Sequence, residues 1–348
     1  MPRERSRSSS GTRSETVREA GTSGAALAAM VSSIARVTRK AVAWQTYGDS
    51  AFPVRRILVP LDGSELGDRV IAHAVKIARA CNAHLFVVRV VEPSSSSAVE
   101  RSLAEEHVDD VQRAVETQGA RCEPRVLEGD PATQVSMLAT VLDVDLILIA
   151  SHGAGHRLEC CLGGTAERII QMADRSVLVV PVRAAVRERR DIGSVLVPLD
   201  GSRRAECVLP LLRQIAASHV VLARIIREPE LVAHPGRLDS ELAIRLTARN
   251  YTFAEAYLHS IAVPGVVETR VRSASSIAYA LRILTDQLSP CLLVLAAHGR
   301  TGDLHGPYGS VALELMRTAA APILVIQDRP RTNQAGWPGP TWLERRHG

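Results

Sequence analysis

Aromatic residues are scarce in this 348-residue chain, at 3% of the total. Its cores must therefore be built from Val, Leu, Ile and Ala, and it has few rings on which nucleic-acid bases could stack. No apolar run reaches the eighteen or so residues of a membrane span, so no transmembrane segment is expected. The six cysteines (Cys81, Cys122, Cys160, Cys161, Cys207, Cys291) contain no Cys-x-x-Cys pair and follow no secretory signal. Cys81 and Cys291 lie in apolar stretches, as small hydrophobes do. That usage fits a reducing compartment and points to the cytoplasm.

Charge of one sign is missing from the body of the chain. The formal net charge is +5, yet residues 1–50 carry eight basic and four acidic residues, and residues 327–348 carry four and two. The remainder is close to −1, which argues against nucleic-acid binding by the folded body. The first 24 residues, rich in Ser, Arg and Gly, read as disordered. Across 25–44, Leu27, Met30, Ile34, Val37, Ala41 and Trp44 recur at helical spacing, an amphipathic helix candidate within a basic N-terminal extension, 1–53. Glu4, Glu15 and Glu19 spoil the acid-poor composition of a transit peptide. Residues 329–348 read as an irregular tail.

What the chain does have is a duplication. Residues 57–64 read ILVPLDGS and residues 195–202 read VLVPLDGS. Ser151-His152-Gly153 is matched by Ala297-His298-Gly299, and the segment from His84 by that from His219. The offset grows from 135 at the second strands to 146 at the histidines, which places about ten extra residues between the second and third strands of copy two. The period is far too long for a solenoid.

In copy one the apolar runs 56–61, 84–91, 145–150 and 177–182 read as strands buried on both faces, with 122–127 a weaker one. Copy two repeats them near 194–199, 219–226, 266–271, 291–297 and 322–327. Between them Val70, Ala74, Ile77 and Cys81 recur at helical spacing, as do Ala166, Ile169, Ile170 and Ala173, and Ala312, Leu315, Met316 and Ala319. Alternating strands and helices imply two tandem α/β, Rossmann-like domains, 54–183 and 193–328, joined by a linker over 184–192. Each is an open five-stranded parallel sheet with flanking helices. A ligand belongs at the carboxyl ends of the first and fourth strands, where strand order reverses.

Those two strands end in the informative residues. The first runs into Asp62-Gly63-Ser64, and its copy into Asp200-Gly201-Ser202. An Asp there can accept hydrogen bonds from a ribose, though a plain turn with a capping Ser has the same sequence. The fourth strand of copy two ends at His298-Gly299, and nine residues later Gly309-Ser310 opens a helix. A glycine-rich loop feeding a helix N-terminus offers free backbone N–H groups to phosphate.

With these motifs the chain resembles the universal stress protein family over about residues 54–183 and 193–328. The family's pattern is Gly-x-x-Gly, nine residues, then Gly followed by Ser or Thr. Copy two departs at Ala296. Copy one departs at Ala150, and at Gly164, with Thr165 one step late. If those first positions need positive φ or a close backbone approach to the phosphates, Ala costs about 1 kcal/mol or more. The resemblance implies ATP, or another adenine nucleotide, with or without Mg. Asp62 and Asp200 would face the ribose, and Val90 and Ile225 would line the adenine pocket. Gly153, Gly163, Gly164 and Thr165, and Gly299, Gly309, Ser310 and Val311, would hold the phosphates. It also implies that the domains pair as an internal pseudo-dimer, and a homodimer of the whole chain is compatible with that.

The expected function is a non-catalytic adenine-nucleotide-binding module in a stress response. The alternatives are a nucleotide-free scaffold of the same fold, a weak ATPase, and an adenylating enzyme. The last needs a glycine pair after the first strand that Leu61-Asp62-Gly63-Ser64 lacks. His152 and His298 have no partner acid visible in the sequence, so no catalytic residue is assigned. His152, His156, Cys160 and Cys161 match no usual zinc spacing, and no metal site is assigned. The Ser310 hydroxyl makes copy two the tighter expected site. Thr165 and the turn Gly129-Asp130-Pro131 favour copy one.

Overall fold

The computed structural model describes residues 54–93, 98–153, 162–182, 184, 192–227, 240–300 and 306–328. The expectations for the amphipathic stretch 25–44, both tails, His156, Cys160 and Cys161 fall outside the described residues.

Ten strands form one sheet. In the first repeat they are β1 Arg56–Leu61, β2 His84–Val91, β3 Arg121–Glu128, β4 Leu146–Ala150 and β5 Ser176–Val180. In the second they are β6 Ser194–Pro198, β7 His219–Arg227, β8 Val266–Ala274, β9 Leu292–Ala296 and β10 Ile323–Ile326. The sheet order is β3-β2-β1-β4-β5-β10-β9-β6-β7-β8. Within each half every pairing is parallel. The chain leaves β1 toward β2 and later returns on β1's other side as β4, so the switch point lies between those strands, and between β6 and β9 in the second half. The extra residues fall between β7 and β8, where the helix α7, Ser240–Ser260, lies.

Side chains alternate between two cores. Ile57, Val59 and Leu61 enter one and Leu58 the other; Val195 and Val197 enter one and Leu196 the other. Both faces are thus covered, as a parallel sheet requires. The short α1 Glu65–Asp68 follows β1; on the first face lie α2 Val70–Cys81, α3 Ala98–Thr117 and α6 Leu209–Ile215, on the other α4 Pro131–Val141, α5 Gly164–Met172, α8 Ile277–Leu288 and α9 Ser310–Thr318. The stripes Val70, Ala74, Ile77, Cys81 and Ala312, Leu315, Met316, Ala319 are all buried. Burial pushes the Cys81 and Cys122 thiols up to about 12, so both behave as apolar groups.

The halves join edge to edge. β5 and β10 pair antiparallel, with Val177, Leu178 and Val179 opposite Val325, Leu324 and Ile323. All six side chains are fully or almost fully buried. Polar ties flank this seam: the Tyr308 hydroxyl donates to Arg175 O (2.6 Å) and Gln327 N–H to Ser176 Oγ (3.1 Å). Arg317 pairs with Glu167 across it. Gln214 reaches back to Val54, accepting from its N–H at 3.1 Å and donating to its carbonyl at 3.3 Å. Beside the seam a cavity of about 350 Å³ is lined by residues including His73, Ile192, Cys291 and Ala321. Burial, aided by the Lys76 ammonium, pushes His73 down to about 4.

Leu324 is almost fully buried at the centre of the seam. Leu324→Ala should lower stability by about 2–5 kcal/mol, read from urea unfolding. A loss under 1 kcal/mol would show that the seam contributes little.

Candidate ligand site at the switch point

The turn after β1 is organised by its own carboxylate. Asp62 Oδ1 accepts from the Ser64 N–H (3.0 Å) and hydroxyl (2.7 Å), while Ser64 Oγ caps the next helix by accepting from Gly67 N–H (3.0 Å). In the second repeat Asp200 Oδ1 accepts from Ser202 N–H (2.8 Å) and Ser202 Oγ from Ala205 N–H (3.2 Å). Gly63 and Gly201 hold φ of +79° and +80°, where a side chain would be strained.

Each Asp then bridges to the loop after the fourth strand. Asp200 Oδ2 accepts from Arg300 N–H at 2.5 Å. A Cβ on Gly299 would collide with that same oxygen, and a Cβ on Gly153 with Oδ2 of Asp62. Glycine is needed at 153 and 299 because a carboxylate occupies the space a side chain would fill.

The loop returns through matched hydrogen bonds, Gly163 N–H to Ser151 O (2.8 Å) and Gly309 N–H to Ala297 O (2.7 Å). Gly163 and Gly309 are the N-cap residues of α5 and α9, with no side-chain capping bond. The first intrahelical bonds reach back from Glu167 and Leu313. The N–H groups of Gly164, Thr165 and Ala166, and of Ser310, Val311 and Ala312, therefore precede the helical ladder and lie at the positive end of the dipole, where an anion would be favoured. Ala150 and Ala296 end their strands and are absent from the described non-glycine residues with positive φ. The strain anticipated for alanine there does not arise.

In the second repeat these pieces enclose one cavity of about 210 Å³. Asp200, Ile225, Gly299, Gly309, Ser310 and Val311 all line it, with Ile277, Leu281 and Leu295 among its apolar walls and Arg224, Arg227 and Arg300 among its cations. Among the first repeat's predicted residues, Asp62 lies against Gly153, Gly163 and Gly164 with Thr165 open α5, and Val90 is half-buried against the core as Ile225 is. The turn before α4 serves a structural purpose: Asp130 caps the helix through Thr133 N–H (3.0 Å) and takes a two-pronged ion pair from Arg168 at 2.7 and 2.9 Å. Arg168 and the Thr133 hydrogen bonds hold its carboxyl well below the usual carboxylate range. Ser276 caps α8 in its place, accepting from Tyr279 N–H at 3.3 Å.

Sequence reasoning missed the partner of His298. Its Nδ1 lies 2.6 Å from Asp328 Oδ1 and its Nε2 3.2 Å from Gly306 O. Both side chains are buried, at 0% and 2% exposure. Each ring nitrogen faces an acceptor, so the imidazole ties the loop to the end of β10. Among the described residues His152 meets no such acid: Val182 stands where Asp328 does, and the ring meets Ser151 Oγ at 3.1 Å. The repeat offset of 146 pairs Asp328 with Val182, and that unmatched acid was the one available signal. Among the described residues no three His, Cys, Asp or Glu side chains cluster as a metal site would.

Two doubly wound α/β repeats with a switch point in each half define the class of architecture. The universal stress protein family model matches residues 53–181 and 192–327, and the chain belongs to that family. It is 28% identical over 138 residues to a universal stress protein of Methanocaldococcus jannaschii, covering 36% of this chain and 81% of that one. A universal stress protein structure from Archaeoglobus fulgidus aligns with a TM-score of 0.58 at 17% identity, covering 80% of this chain and all of the other. A Pseudomonas aeruginosa protein of unknown function also aligns at 0.58, with 14% identity over 81% of this chain and 95% of its own.

Asp328 supplies the acceptor that the fully buried Nδ1 of His298 meets. Asp328→Ala leaves that nitrogen without it and should cost about 1–3 kcal/mol in denaturant unfolding, whereas Val182→Ala in the first repeat should cost about 1 kcal/mol. Equal losses would show that the His298 contact carries no special energy.

Proposed function

We propose that the second repeat binds an adenine nucleotide, with ATP preferred over AMP, and that the protein serves a stress response as a binding module and not as a dedicated enzyme. One observation carries this reading: six residues singled out for nucleotide contact line a single cavity. Ile225, Ile277 and Leu281 give a planar base apolar walls. Each Asp200 oxygen accepts one backbone N–H and keeps a lone pair for a ribose hydroxyl. The N-terminus of α9, the Ser310 hydroxyl and the guanidinium groups favour a phosphate chain, and the number of cations favours a triphosphate. A bound nucleotide would supply the charge that these donors address, and Mg would accompany it through the phosphates.

The surroundings of His298 support reading the protein as a binding module. His298 is fully enclosed with both ring nitrogens facing acceptors, which leaves it poorly placed to exchange protons with a substrate. A cytoplasmic site of action accords with the cysteine usage, and no described helix is long and apolar enough to cross a membrane.

Calorimetry with ATP on the full chain tests the assignment. Asp200→Ala should abolish the tighter site, Asp62→Ala should leave it intact, and Ser310→Ala should weaken it roughly tenfold. Loss of the tighter site through Asp62→Ala alone would overturn the assignment to the second repeat, and absence of any ATP binding would favour the nucleotide-free scaffold.

A further inference from the structure

The cavity in the second repeat has a neighbour. Arg224 and Arg300 also line a second, wider groove of about 560 Å³, which adds Gly201, Ile226 and, from α7, Asn250, Phe253 and Tyr257. Two arginines thus stand as a shared wall between an apolar pocket and an aromatic groove.

Arg224 is held there in an unfinished state. Its Nη1 is buried and has no hydrogen-bond partner among the described residues, and its guanidinium lies 5.9 Å from the Tyr257 ring centre. Gly201 leaves room for it, since a Cβ there would fall 2.8 Å from Nη1. The Tyr257 hydroxyl in turn donates to Glu206 at 3.0 Å, which fixes the ring. A buried guanidinium N–H without an acceptor is costly, and an anionic oxygen arriving beside it removes that cost.

The first repeat lacks this arrangement. Arg89 stands over Gly63 as Arg224 stands over Gly201, but its Nη1 donates to Leu103 O of α3 at 3.5 Å. Helix α3 contains no Phe, Trp or Tyr, whereas α7 contains Tyr251, Phe253 and Tyr257. Those are three of only eleven such residues in the chain (three Phe, three Trp and five Tyr). A sequence so poor in rings has placed three of them in one helix, two of them lining the groove beside the arginines.

We propose that the second repeat takes a two-headed ligand, a dinucleoside polyphosphate. One nucleoside occupies the cavity of Asp200 and Ile225, the phosphate chain runs past Arg300 and Arg224, and the second base lies against Phe253 and Tyr257. The proposal rests on the adenine-nucleotide reading given above and extends it. Base–aromatic stacking is tolerant of base identity, so the second head is specified by being planar. Joining two subsites through one chain raises affinity without a new contact in either.

Diadenosine tetraphosphate and adenosine 5′-tetraphosphate carry the same number of phosphates and differ by one adenosine. Calorimetry on the full chain should find the dinucleotide about tenfold tighter. Phe253→Ala should erase that difference and leave adenosine tetraphosphate affinity unchanged. Equal affinities in the wild-type protein, or a Phe253→Ala variant that weakens both ligands alike, would overturn the two-headed ligand while leaving the mononucleotide site standing. Binding of neither ligand would overturn both. The wild-type comparison requires no variant to fold.

Discussion

The antiparallel pairing of β5 with β10 is the constraint on which the rest of the molecule depends. A parallel five-stranded sheet ends in an open edge, a row of unpaired backbone groups that invites uncontrolled pairing. Here two such edges satisfy each other, and Leu178 and Leu324 meet at the centre with almost no exposure. The seam also reaches the candidate site. Tyr308 sits immediately before the N-cap of α9, and its hydroxyl is anchored on Arg175 of the other repeat. Gln327 ties Pro307 O to the end of β10 at 3.0 Å. The loop that would address phosphate in the second repeat is therefore held from the first, so the fused chain and the site are not separable.

Duplication left the two switch points alike in backbone and different in chemistry. Both place an Asp carboxylate against the loop glycine, and both open a helix without a side-chain cap. The second repeat alone adds a serine hydroxyl at the helix start, an arginine after the loop glycine, and the His298–Asp328 tie. The first repeat instead places Arg168 on Asp130, which joins α5 to the cap of α4. That use of charge is internal, and it neutralises the groups involved. The second repeat keeps its cations at the cavity wall. The proposed assignment of binding to the second repeat rests on these differences.

Much of this was legible in the sequence, for identifiable reasons. Strands buried on both faces appear as continuous apolar runs, and helices packed on one side appear as stripes, so Ile57–Val59 and Val70–Cys81 could be placed from local pattern alone. Asp200 could be singled out as the repeat of Asp62 at a strand's carboxyl end, and Gly299 and Ser310 by their match to the universal stress protein pattern. The unread features are all non-local. His298 finds Asp328 thirty residues on, and Tyr308 finds Arg175 across the seam. Arg224 finds Tyr257 through the packing of α7. The antiparallel sense of the β5–β10 join leaves no mark on either strand, because each is apolar throughout whichever neighbour it meets. The strain anticipated at Ala150 and Ala296 failed to appear because both end a strand, where negative φ is ordinary.

The account stands or falls on where an adenine ring settles. Photolabelling of the full-length protein with 8-azido-ATP, followed by peptide mapping, places the base directly. The account predicts labelling that excess ATP suppresses, confined to peptides carrying Ile225, Ile277 or Leu281, the apolar wall of the second repeat's cavity. Label that ATP fails to displace, or that falls on peptides remote from that wall, would contradict it.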